Sequence, residues 1–145
     1  MLHTENGEAL AMTEQRRARL GSYLLWIACL AAGAAAVSTL PGLLEADAST
    51  RMVETWHTCG LAVFSALFAV LARNPQAPMG LWLAVISHKA ALTILAVVYS
   101  VQGDTAGAGA VIVSDGALTA LLLAAFRLTR GSATQALRAR RSDQR

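Results

Sequence analysis

Four apolar runs dominate this sequence: residues 20–44, 55–72, 78–100 and 106–126. Together they hold two ionised side chains, Lys89 in the third and Asp115 in the fourth. Crossing the hydrocarbon core of a bilayer takes a helix of about 20 apolar residues. In lipid every backbone N–H and C=O must find a partner inside the segment, which leaves a helix rather than an open strand. The runs therefore predict an all-α chain: a polytopic membrane protein with a four-transmembrane-helix bundle, one domain over 1–145, and polar ends at 1–19 and 127–145. The second run is short, and Trp56 and His57 at its start extend it to the interface.

Composition agrees. Hydrophobic residues make up 55% of the 145 and charged residues 14%, against about 25% charged in ordinary soluble domains. The charges crowd into 1–19, 45–54 and 127–145. The net charge of +3 comes from arginines beside the spans. A nucleic-acid partner would need a basic face on a soluble domain, and no stretch provides one.

Arginine placement predicts orientation through the excess of Lys and Arg in cytoplasmic loops. Arg16, Arg17 and Arg19 precede the first span, Arg73 lies between the second and third, and Arg127, Arg130, Arg138, Arg140, Arg141 and Arg145 follow the fourth. The opposite loops carry Glu45, Asp47 and Glu54 against Arg51, and Asp104. Both termini are expected in the cytoplasm. Tyr23, Trp26, Trp56, Trp82 and Tyr99 lie towards span ends, as interfacial aromatics do. The arginines, the apolar run and "AAAVS" at 34–38 also fit a signal peptide with a small-residue cleavage site. The run is longer than such a core and continues to Leu44, which favours a span; Met12 is an alternative start.

Cys29 and Cys59 belong to different spans at different depths, so a disulfide, which needs Cα atoms within about 7 Å, is not expected. The small residues at 31–36 and Gly107, Gly109 and Gly116 suggest close helix packing. No internal repeat is present, so an inverted-repeat transporter has no support.

The two intramembrane charges carry the functional reading. Lys89 lies 11 residues after Pro78 and Asp115 12 residues before Arg127, roughly 16 and 18 Å from the same side at 1.5 Å per residue. They share a depth on consecutive antiparallel helices, and an unpaired charge at mid-bilayer costs about 2.5–3.5 kcal/mol or more. A Lys89–Asp115 contact inside the bundle is therefore predicted. Such a pair either locks two helices together or lines a cavity, since intramembrane ionisable groups mark substrate and proton paths. In the second case Lys89 and Asp115 are candidate catalytic groups, with His88 a third at the edge of the same cavity. Trp82 and Thr93 on the lysine face, with Ile86, Ala96 and Ser100, and Ser114 and Thr119 near Asp115, are candidate substrate-binding residues. Glu54 and His57, three apart and able to share a helix face, are candidates for the cavity mouth or for an interfacial cap. A metal site is not expected: His57 and His88 lie at different depths and no helix carries an i, i+4 ligand pair. No cofactor motif is present.

The stretch "RRARLGSYLLWIACLAAGAAAVSTLPGL", over the first third of the chain, resembles the first helix of small four-helix bacterial membrane proteins of the DoxX-like kind. The shared features are a basic residue, a leucine–glycine pair, a small-residue run and a closing proline–glycine turn. The resemblance implies a multi-pass protein of the bacterial plasma (cell inner) membrane. Small four-helix proteins that bind or isomerise sterol-like molecules offer an architectural analogy. Small multidrug exporters are similar in size but carry a glutamate in the first span, which this chain lacks.

Three functions follow as expectations. The first is a site that binds, and converts by acid–base chemistry of isomerase or cyclase type, a small lipophilic ligand. The second is a proton- or ion-coupled transporter with Asp115 titrating. The third is an accessory or structural subunit. The expected partners are membrane lipids and a lipophilic small molecule, with a homo-oligomer or a partner membrane subunit as further options.

Overall fold

The computed structural model describes residues 2–103 and 107–142, with side chains for 12–103 and 107–130. Asp104 and the side chains of Arg138, Arg140, Arg141 and Arg145 lie outside these. Among the described residues all regular secondary structure is helical: α1 (Leu2–Ser38), the short α2 (Leu40–Glu45), α3 (Arg51–Arg73), α4 (Met79–Gln102) and α5 (Ala108–Ser142). Four stretches, Met12–Glu45, Arg51–Arg73, Met79–Gln102 and Ala108–Arg130, are long and apolar enough to cross a membrane. The chain has the make-up of a multi-pass membrane protein.

The helices outrun the apolar spans at both ends. α1 begins at Leu2 and α5 continues past Phe126 to Ser142, into the polar ends. Residues 127–142 are rich in Arg, Ala and Leu and contain no proline, so helix propensity carries the last apolar turn onward. The first span, by contrast, is interrupted at Thr39. Pro41 stands in the first turn of α2, and its missing N–H removes the helix bond that Val37 C=O would accept. Nearby carbonyls gain hydroxyl partners instead: Ser38 donates to Ala35 O and Thr39 to Ala36 O, both at 2.8 Å.

Between α2 and α3, the Asp47 carboxylate accepts from the backbone N–H and the hydroxyl of both Ser49 and Thr50. The Ser49 hydroxyl bond is the leading cause that holds its pKa below the ordinary carboxylate value. Asp47 C=O accepts from Arg51 N–H at 2.9 Å, so this residue sets the start of α3. Gly103, in the left-handed region at φ 76°, closes α4, as a residue without Cβ does most readily.

α1 is the central helix, packed on one side by α3 and on the other by α5, and α4 lies along α5. The α1–α3 seam is small and polar: Ser65 Oγ donates to Cys29 O at 2.9 Å, and the Thr39 and Thr58 hydroxyls meet at 2.8 Å. Both cysteines are free thiols. Bulk is unevenly distributed along the bundle. Leu25, Phe68, Leu71, Trp82 and Leu122 are fully buried together at the end that Arg19, Arg73 and Arg127 mark. Towards the other end, α1 offers alanines and glycine, and α5 begins AGAV. One half is a filled core and the other is under-filled.

Two packing expectations are corrected. Trp82 is not interfacial but fully buried; its indole donates to Pro75 O at 3.3 Å and meets Phe126 edge-on at 5.3 Å. It lies seven residues, two turns, before Lys89 and so shares the buried face of α4. Tyr23, Trp56 and Tyr99 are exposed. Nor do Gly107, Gly109 and Gly116 form the closest glycine contact among the described residues. Gly107 has a positive φ of 86°, a Cβ on Gly109 would meet nothing within 4 Å, and one on Gly116 would meet Thr93 Cγ2 at 3.5 Å. The close approach is at Gly21, where a Cβ would lie 2.5 Å from Thr129 Cγ2 and 3.2 Å from Ala125 O.

Gly21→Ala should therefore lower thermal stability in detergent, by about 1–3 kcal/mol as for other overpacked sites. Adding Thr129→Ser, which removes the opposing methyl, should restore part of the loss. Gly109→Ala should be neutral.

Candidate functional site

Lys89 Nζ lies 2.7 Å from Asp115 Oδ1, the contact that matched depth predicts. α4 positions the lysine on its buried face with Trp82, Val85 and Ala96. α5 positions the aspartate between the half-buried Gly116 and the exposed Ser114. Lys89 is 4% and Asp115 8% exposed. A third element completes the setting: the Phe64 ring of α3 lies 4.7 Å from Nζ, a cation–π contact that strengthens where water is excluded. One cation thus touches an anion on α5 and an aromatic face on α3, two helices that share no direct seam.

The pair borders a cavity of about 500 Å³ between α1, α3, α4 and α5, within the range of small-molecule sites. Its walls are mainly alanine and branched aliphatics, with Ala28, Ala32 and Ala35 on α1 and Val111, Leu118 and Leu121 on α5. Polar groups sit at two levels. Lys89 and Asp115 lie midway, and Ser38, Thr39 and His57 at the end away from the filled core. The flank is open: Ile27 and Ala31 of α1 and Ser114 and Ala117 of α5 line the cavity and are exposed. α1 and α5 touch tightly at Gly21 and Thr129 and leave this gap higher up. The opening has apolar lips on a surface made of membrane-length helices.

The candidate residues divide into groups. Lys89, Asp115, Ser114 and His57 meet at the cavity. His88 does not reach it: the ring is exposed and stacks on Phe64 at 4.5 Å, on the α3–α4 side, as the roughly 100° step from Lys89 requires. Thr93 and Thr119 face a separate shallow groove between α4 and α5. Their hydroxyls bond the carbonyls of Lys89 and Asp115 one turn back, at 2.9 and 2.7 Å, the usual local use of Thr inside a helix. Trp82 belongs to the core. Glu54 is half-buried outside the lining, and among the described residues no hydrogen bond or ion pair joins it to His57. Among the described residues no group of three His, Cys, Asp or Glu is placed to hold a metal.

Sequence reasoning missed Phe64, Ser38 and Thr39. Phe64 gave no signal beyond an aromatic in an apolar run. Ser38 and Thr39 could have been found, because two hydroxyl residues ahead of Pro41 mark a helix break that leaves polar groups facing inward.

Removing one partner of a fully buried pair costs about 3–5 kcal/mol; bordering a cavity should hold the cost at or below that range. Lys89→Met should destabilise more than Asp115→Asn, since asparagine keeps an acceptor and the lysine keeps Phe64. In a double-mutant cycle read by thermal or chemical unfolding in detergent, the coupling should be at least about 1 kcal/mol. Additive losses would contradict the pairing.

No protein-family model, curated protein or solved structure matches the chain.

Proposed function

We propose that this chain is a multi-pass protein of the bacterial plasma membrane with both termini cytoplasmic. Its intramembrane site binds a small lipophilic molecule and converts it by acid–base chemistry of isomerase or cyclase type. The observation that carries this reading is that the Lys89–Asp115 pair lines an apolar cavity of about 500 Å³ instead of being sealed between two helices. A pair retained only to lock α4 to α5 gains nothing from an open space beside it.

The chemistry follows from the two groups. The Asp115 carboxylate takes a proton from the ligand and the Lys89 ammonium returns one to another position. The carboxylic acid and amine so formed reset by proton transfer across their own 2.7 Å contact. No electron is gained or lost, so the cycle needs no redox partner. His57 lines the cavity's far end.

The shape favours a binder over a carrier. The cavity opens on the flank between α1 and α5, and the arginine-rich end is closed by the fully buried Leu25, Phe68, Trp82 and Leu122. An accessory role would leave the cavity unused.

Filling the cavity tests the proposal. Wild-type protein in nanodiscs should retain a lipophilic compound from cell extract, detected by mass spectrometry of the extracted sample, and Ala31→Trp should lower its amount at least about tenfold. Lys89→Met and Asp115→Asn should remain folded yet lose turnover of that compound. Identical retained profiles for wild type and Ala31→Trp would defeat the reading.

A further inference from the structure

We infer that the ligand is a neutral, acyclic lipophile bearing a hydroxyl group, which enters sideways between α1 and α5 and sets its hydroxyl on the Lys89–Asp115 pair. This rests on the binding reading above and narrows it to one chemical class. Three observations lead to it.

The first is hydrogen-bond demand at the pair. An ammonium has three donors. Asp115 Oδ1 takes one of Lys89's at 2.7 Å, and the Phe64 ring faces the same nitrogen at 4.7 Å. Among the described residues no other side chain or carbonyl accepts from Nζ. On Asp115, Oδ1 is engaged by Lys89, and Oδ2 has no donor among the described residues. The cavity therefore presents one donor and one acceptor that have no protein partner among the described residues. A hydroxyl satisfies both, accepting from Nζ and donating to the carboxylate. An ether or ketone oxygen accepts only and leaves the carboxylate oxygen bare.

The second is charge. Lys89 and Asp115 neutralise each other. A phosphate, carboxylate or ammonium on the ligand would bring an uncompensated charge into an apolar space, and a buried charge is tolerated only when paired.

The third is shape. The lining runs from Ile27 to Thr39 on α1 and from Ala110 to Leu121 on α5, roughly 16–18 Å along the helix axes. About 500 Å³ drawn out over that length is an elongated space, the shape of one extended chain. The exposed, apolar Ile27, Ala31 and Ala117 at its flank let a chain pass between slot and lipid tails without crossing water.

The test is a headgroup series on one chain length. Wild-type protein in phosphatidylcholine nanodiscs is exposed separately to dodecan-1-ol, dodecane, 1-methoxyundecane, dodecanoate and cholesterol. Additive retained above empty nanodiscs is quantified by mass spectrometry. Dodecan-1-ol should be retained at least about tenfold over dodecane and over the methyl ether, the difference expected of one hydrogen bond to a charged group. It should also exceed dodecanoate and cholesterol. Lys89→Met and Asp115→Asn, checked for a monodisperse folded peak, should bring alcohol and hydrocarbon to near equality. Ala31→Trp should lower retention of all. If dodecane or the methyl ether binds as well as the alcohol and Ala31→Trp still lowers both, a lipophile site exists and the hydroxyl inference is overturned. If none of the additives is retained, the binding reading fails and takes this inference with it.

Discussion

An ammonium and a carboxylate in the middle of apolar helices set the terms on which α4 and α5 can pack. Each alone would cost several kcal/mol in hydrocarbon. Together, at 2.7 Å, they fix the rotation and relative height of the two helices, because only one register brings Lys89 opposite Asp115. The Phe64 ring ties the same nitrogen to α3. Trp82, two turns before Lys89, then falls in the core, and His88, one residue before it, falls outside. Much of the side-chain arrangement in α4 follows from where one lysine must point.

The rest of the architecture is a division of volume. At the arginine-rich end, Phe68, Trp82 and several leucines fill the interior, and α1 meets α5 closely enough at Gly21 that no side chain fits between. At the other end, small residues on α1 and α5 leave space that no side chain occupies, and Pro41 breaks the first span where Ser38 and Thr39 line that space. Rigid packing below and a cavity above place the charged pair at the boundary, held firmly from one side and reachable from the other. Such a setting orients reactive groups without sealing them away.

The spans and the pair could be read from the sequence because both depend on one-dimensional quantities. Apolar run length reports a spanning helix, and residues counted from the arginines report depth. What was hidden depends on rotation and on missing volume. That Thr93 and Thr119 would face a different groove from Lys89 and Asp115 depends on how α4 and α5 are turned against each other. The alanines of α1 look the same in sequence whether they draw helices together or line a void, and the structure assigns them both tasks, with Ala28 and Ala32 in the core cluster and also on the cavity wall. Helices run past the apolar runs where propensity overrides hydropathy, as in α5 beyond Phe126.

Lys89 is the only lysine in the chain, which makes it a single-site reporter. Protein labelled with ¹⁵N at lysine Nζ should give one side-chain nitrogen signal by solid-state NMR in bilayers. If the ion pair faces an occupied lipophile site, that signal should move when Asp115→Asn removes the anion, and should shift again in wild type, but not in Ala31→Trp, when a lipophilic alcohol is added. A signal that stays at the position of a free, hydrated lysine, indifferent to both changes, would contradict the account.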